Sequence, residues 1–308
     1  MTLFNRGTLP DAFGSRVERL RGDRTTPDFE RLLAGRSFDA AVDFAAYDGP
    51  DGRRAARVLG GRVAHYVAIS TGQVYLVRQP RPCPAREGDY DGPLMPEPAD
   101  AFDKGQWDYG MKKRALEDAL AEAWAESQFP ATRLRIPMVN GERDHFRRIE
   151  RYLWRMLDGG PLLLPDGGDR VTRHVYSGSV VRAILALLGR AKTHGRAYNL
   201  AQDETPTQRE LLTLLADRLG APARLVDVPA ERVRAAGLDP LLLSPFSGAW
   251  MSLLDPARAK EELGFRHEPL GSYLDKIVTS FLAHPPAEPP AGYGSRAVEL
   301  QLAAGQAR

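Results

Sequence analysis

The chain has 308 residues, 43% hydrophobic and 27% charged, which is enough for one large or two modest domains with a real core. Its net charge of +2 advertises no polyanion-binding surface, and no apolar run approaches the roughly 20 residues of a membrane helix. A lone cysteine, Cys83, excludes an internal disulfide, and no Cys/His cluster has zinc spacing, so no metal site is expected.

In chain order, strands and helices alternate through the first half. "MTLFNRGT" reads as a strand running into a turn, followed by a charged stretch rather than a signal peptide, so a reducing, cytoplasmic compartment is expected. "RVERLRGD" is a short strand before Gly22 and Asp23. "TPDFERLLAGR" is a helix with Thr26 as N-cap, Pro27 in its first turn and Gly35 near its end. "FDAAVDFAAY" is a mostly apolar strand, as expected where both faces of a sheet are covered. "GRRAARVLGG" is a helix and "AHYVAIS" another buried strand. A loop rich in Pro, Gly and charge runs from Arg78 to about Lys104. "YGMKKRALEDALAEAWAES" is a long amphipathic helix and "ATRLRIPMV" a strand. This rhythm predicts an α/β fold with a doubly wound parallel sheet.

The second half is more helical. "HFRRIERYLWRMLDGG", "VVRAILALLGRA" and "TQRELLTLLADRLG" are helices, the last opening at Thr207. "ARLVDVP" is a strand, and "DPARAKEELGF" a helix that Gly264 closes. After His284 the composition turns to Pro, Ala and Gly, and a loose tail is expected. The expected division is a sheet domain over residues 1–140, a smaller, mostly helical lobe over 141–284 with some exchange of elements, and the tail over 285–308.

Thr71, Tyr109 and Lys113 carry the sharpest chemistry. Tyr and Lys four apart share one helix face, and a fixed ammonium favours phenolate, so such a tyrosine can exchange a proton with a substrate hydroxyl or carbonyl. Thr71, at the end of a neighbouring strand, can hold the same oxygen, with Ser70 in reserve. Lone His145 and His174 read as structural or exposed.

With these pieces in place the chain resembles an extended short-chain dehydrogenase/reductase of the NAD-dependent epimerase/dehydratase family. "ISTGQVY" and "YGMKK" match the Ser/Thr strand and the Tyr-x-x-x-Lys helix. "FNRGT", "RGDRTTPDFERLLAGRSFDAAVDFAAY", "LRIPMVNGE", "RHVYSGSVVRAI", "YNLAQDETPTQRELLTLLADRLG" and "LDPARAKEELGF" resemble other family segments. The resemblance implies a Rossmann-like sheet and a C-terminal substrate lobe. It also implies Tyr109 as acid/base, and Lys113 as the residue that lowers its pKa and holds the nicotinamide ribose. Thr71 follows as the catalytic hydroxyl, Asp23 as the contact to adenine, and Phe44, Ala45 and Ala46 as the strand end beneath the cofactor. Arg6 stands where an acidic residue would grip the ribose of NAD, so NADP is favoured; the other reading of Arg6 is an exposed turn cation. Arg173 is placed either at a substrate phosphate or on the surface. Family dehydratases carry Asp-Glu after the threonine. Here Gly72 and Gln73 follow, which disfavours dehydration and leaves reduction or epimerisation.

The family's opening strand, Gly-x-x-Gly-x-x-Gly turn and helix, which bind pyrophosphate, have no counterpart in the 308 residues. Either the natural protein extends upstream of Met1, the favoured explanation, or the first βα unit is missing. The chain as given is expected to bind NAD(P) poorly. The expected substrate is a sugar nucleotide or related polar alcohol or carbonyl, with a homodimer through the long Tyr109 helix as one arrangement. The alternatives are a non-enzymatic nucleotide- or RNA-binding relative and a pseudo-enzyme; near-neutral charge weighs against RNA.

Overall fold

The computed structural model describes residues 1–9, 13–142 and 144–305. The elements in chain order begin with β1 (Thr2–Asn5), β2 (Glu18–Arg21), α1 (Asp28–Leu33), β3 (Ala41–Asp43), α2 (Gly49–Leu59), β4 (Tyr66–Thr71) and the short α3 (Gln73–Leu76). Next come the long α4 (Ala101–Ser127), β5 (Ala131–Ile136), β6 (Met138–Asn140), α5 (Arg148–Leu157), β7 (Leu162–Pro165), β8 (His174–Tyr176) and α6 (Ser177–Leu187). The chain continues through β9 (Ala197–Asn199), α7 (Gln208–Leu219), β10 (Leu225–Val228), α8 (Ala230–Ala235), α9 (Pro240–Leu243), α10 (Ala257–Leu263), α11 (Leu270–Ala283) and α12 (Arg296–Ala304).

Four strands form one sheet in the order β3-β4-β5-β9, and β1-β2, β6-β8 and β7-β10 form parallel pairs. β3 runs parallel to β4, with Val42 opposite Val67. Two compact units partition the chain. The first holds residues 1–70, 108–134 and 187–197, and the second holds 71–107, 135–186 and 198–308.

In the first unit, α2 and α4 pack with β4 around Ala55, Val58, Leu59, Tyr66, Ala68, Leu116 and Leu120. Phe4 and Phe29 meet edge to face at 5.2 Å and join the same core. Gly52 permits the close approach of α2 to α4, because a Cβ there would sit 3.1 Å from Leu116 and Ala119. β4 is buried almost throughout, as its apolar run requires. β3 differs from expectation: it is three residues long and only half-buried, because it is an end strand of its sheet. α1 begins at Asp28, with Pro27 rather than Thr26 at the cap position.

In the second unit, α5, α7 and α11 enclose a core of Tyr152, Leu153, Met156, Leu211, Leu212, Leu215, Tyr273 and Leu274. Thr207 caps α7 as the sequence predicts: its hydroxyl accepts from the Glu210 amide at 3.1 Å, and the Glu210 carboxylate accepts from the Thr207 amide at 2.7 Å. Gly264, at φ 69°, closes α10. The predicted strand "ATRLRIPMV" is two strands, β5 and β6, divided at Pro137, which has no N–H for a ladder.

The segment after His284 corrects the expectation of a loose tail. It contains α12, whose Arg296 and Glu299 are buried, and the Glu299 carboxylate pairs with the fully buried Arg155 at 2.6 Å. Arg296 also grips Asp158 at 2.7 Å. Charged residues three apart on a helix tie down a segment whose composition reads as loose.

Candidate active site

The first unit gathers most of the predicted residues at the C-terminal ends of parallel strands. β3 ends at Asp43, a carboxylate that organises the turn behind it. It accepts from the amides of Ala45 and Ala46 at 2.9 and 2.8 Å, from one terminal nitrogen of Arg24 on both of its oxygens at 2.7 and 2.8 Å, and from the Tyr66 hydroxyl at 2.6 Å. Burial would push the Asp43 carboxyl up, but the Arg24 charge and these hydrogen bonds outweigh it and hold it below the usual carboxylate range. The turn leaves Phe44 69% exposed at the strand end and places Ala46 in the core. Ala45 is exposed between them.

Lys113 lies on α4 and is only 6% exposed. Its ammonium donates to the carbonyl of Ala46 at 2.7 Å, just past β3, and to that of Ile69 at 3.1 Å, near the end of β4. Burial pulls the Lys113 pKa below the ordinary lysine value, and the charges of Asp43 and Glu117 oppose that shift. Tyr109 lies one turn earlier on α4, half-buried, with its ring 5.7 Å from that of Tyr47. The Lys112 ammonium, on the exposed side of the helix, lies 5.6 Å from the Tyr47 ring. Ser70 is buried, and its hydroxyl donates to the fully buried Glu117 at 2.5 Å. Arg6 is exposed after β1, and its charge reaches Asp23. The Asp23 carboxylate accepts from the amide and hydroxyl of Thr25 at 2.8 and 2.7 Å, which holds it below the usual range.

The second unit holds Thr71 and Arg173. Thr71 is half-buried, and its hydroxyl accepts from the Gln73 amide at 3.2 Å. Gly72 has no room for a side chain, because a Cβ there would collide with the Ser252 hydroxyl. Gln73 is buried and donates to the Gln106 side-chain carbonyl at 3.1 Å. Arg173 spends its guanidinium on backbone carbonyls, those of Leu254 and, at 3.4 Å, Asp203. Burial lowers its pKa from the ordinary arginine value.

Asp43, Arg24 and Glu117 escape the sequence reading. The signal for Glu117 was present: it follows Lys113 by four residues and Tyr109 by eight, which puts all three on one helix face. Nothing local in the sequence joins Arg24 to Asp43, because their contact depends on the sheet.

Parallel strands flanked by helices, with titratable side chains collected at the strands' C-terminal ends, define a doubly wound α/β protein. The chain belongs to the NAD dependent epimerase/dehydratase family, whose model matches residues 36–201, just over half of its length. It is similar to 2'-dehydrokanamycin reductase of Streptomyces kanamyceticus, 27% identical over 232 residues, or 74% of this chain. The match spans 62% of that relative's length. Among solved structures, it is similar to UDP-glucose 4-epimerase of Thermotoga maritima with UDP-glucose, at TM-score 0.71 and 19% identity, over 92% of this chain and 90% of the other. It is also similar to dTDP-glucose 4,6-dehydratase of Bacillus anthracis in complex with NAD, at 0.70 and 16%, over 92% and 88%. UDP-glucuronic acid 4-epimerase of Bacillus cereus in complex with NAD follows at 0.65 and 18%, over 89% and 83%. At these identities the structural likeness establishes the fold alone. Among the described residues, no helix is long and apolar enough to cross a membrane.

Proposed function

We propose that the protein is an NAD(P)-dependent oxidoreductase or epimerase acting on a sugar nucleotide or a related polar alcohol or carbonyl. The observation that carries this reading is the α4 face: half-buried Tyr109, one turn before a buried Lys113 whose ammonium is held by the strand-end carbonyls of Ala46 and Ile69. In this reading residues 1–140 serve the cofactor and 141–284 the substrate.

The residues present fit the nicotinamide and ribose side of the cofactor. An ammonium has three N–H donors and Lys113 gives two to carbonyls, which leaves one for a ribose hydroxyl. Exposed Phe44 and Ala45 offer a surface beneath the cofactor, and the exposed Arg6 cation favours a 2′-phosphate, hence NADP. No Gly-x-x-Gly-x-x-Gly turn occurs in the 308 residues. When bound, NAD(P) supplies the hydride acceptor or donor. Tyr109 moves the proton at the substrate oxygen and the Lys113 charge favours its phenolate; the family resemblance gives Thr71 as the catalytic hydroxyl.

Gly72 and Gln73 argue against dehydration, since one has no room for a side chain and the other is a buried neutral amide. Similarity to 2'-dehydrokanamycin reductase supports reduction over epimerisation. NADPH oxidation with keto sugars tests the reading. Tyr109→Phe is expected to lower kcat about 10²–10⁴-fold with little change in KM. Equal turnover by the variant and the wild type contradicts it.

A further inference from the structure

We propose that Asp43 and Glu117 are positioning residues for Lys113: each carboxylate fixes one of the two carbonyls that receive its ammonium, and together they supply the negative charge that balances it. Asp43 accepts from the Ala46 amide at 2.8 Å, and the carbonyl of that same residue receives Lys113 at 2.7 Å. Glu117 accepts from the Ser70 hydroxyl at 2.5 Å, and the residue before Ser70, Ile69, presents the second carbonyl at 3.1 Å. One carboxylate thus shapes the end of β3 and the other the end of β4, and Lys113 bridges the two strands they hold.

The charge balance points the same way. The charged groups that act most strongly on Lys113 are Asp43 at the end of β3, Glu117 on α4, Arg24 after β2 and Asp51 on α2. Arg24 is engaged by Asp43 at 2.7 Å and by Asp51 at 3.2 Å. Arg54 reaches Asp51 as well, at 3.2 Å, so the three carboxylates stand against three cations, Arg24, Arg54 and Lys113, and the cluster balances only with all three carboxylates in place. A buried ammonium without such compensation loses its proton, and would then neither favour phenolate at Tyr109 nor hold a ribose. The inference deepens the function proposed above and rests on it for the role of Lys113, but the coupling of charges can be measured without cofactor or substrate.

The chain has six lysines, so a protein carrying ¹³C at the lysine Cε gives few resonances, and Lys113→Arg assigns the one of interest. The expected result is that the Lys113 carbon titrates below the ordinary lysine range. Glu117→Gln and Asp43→Asn should each lower its midpoint further, by about one pH unit. Ser70→Ala, which keeps the Glu117 charge, should move it less. A Lys113 midpoint unchanged in both carboxylate variants overturns the proposal. Should Glu117→Gln fail to fold by circular dichroism, Glu117→Asp, which withdraws the charge by one methylene, is read the same way: a lowered midpoint supports the proposal and an unchanged one overturns it. A shifted Lys113 in a protein without NAD(P)-dependent activity would fail the functional reading and leave the charge coupling standing.

Discussion

A single carbon added at Gly72 would collide with the Ser252 hydroxyl, so the position after Thr71 is closed to an acidic side chain by packing. Gly72→Asp is accordingly expected to lower stability, read as a lower denaturant midpoint, and to yield no dehydratase activity; a stable variant that dehydrates a nucleotide sugar contradicts this. Two buried histidines set the acid limit of the fold. Burial pushes His174 down to about 3 and His65 down to about 4. Both are neutral when folded, while the unfolded chain takes up their protons below about pH 6.5. The stability they allow is therefore complete above that pH and is lost as pH falls toward 4 and then 3, at on the order of 1 kcal/mol per pH unit for each. Urea unfolding between pH 7 and 5 should show this slope, and His174→Gln should flatten it. Residues of this kind are poorly legible in sequence: His174 reads as structural or exposed, and only the fold decides that it is fully buried.

Among the elements, α12 shows how charge can hold what composition leaves loose. Arg155 and Glu299 are each 1% exposed and meet at 2.6 Å, 144 residues apart. Removing one partner leaves the other buried and unbalanced, so Glu299→Ala is expected to cost about 3–5 kcal/mol of unfolding free energy. A loss below about 1 kcal/mol would mean that the pair carries little and that α12 is held by other contacts. Elements with strong local signals were legible: α7 from Thr207 and Glu210, α10 from Gly264, β4 from its apolar run. Those whose form depends on neighbours were not. β3 reads as a long buried strand, yet is short and half-exposed because it is an end strand of its sheet. α12 reads as tail because its partners lie on α5 and just after it.

At the scale of the molecule, the alternation of strands and helices and the motifs around Thr71, Tyr109 and Lys113 were enough to read the α/β fold and the family, and the match over residues 36–201 agrees. The candidate site was half legible. The motif residues stand out in sequence and Glu117 follows them at helical spacing, whereas Arg24 and Asp43 come from separate stretches that only the folded first unit assembles. The central claim is that these strand ends form a nicotinamide cofactor site. Saturation-transfer NMR with NADPH tests it most directly, because it detects weak as well as tight binding. The account predicts saturation of the nicotinamide protons in the wild type and its loss in Lys113→Met. Absence of transfer in the wild type, or equal transfer in both proteins, would contradict it.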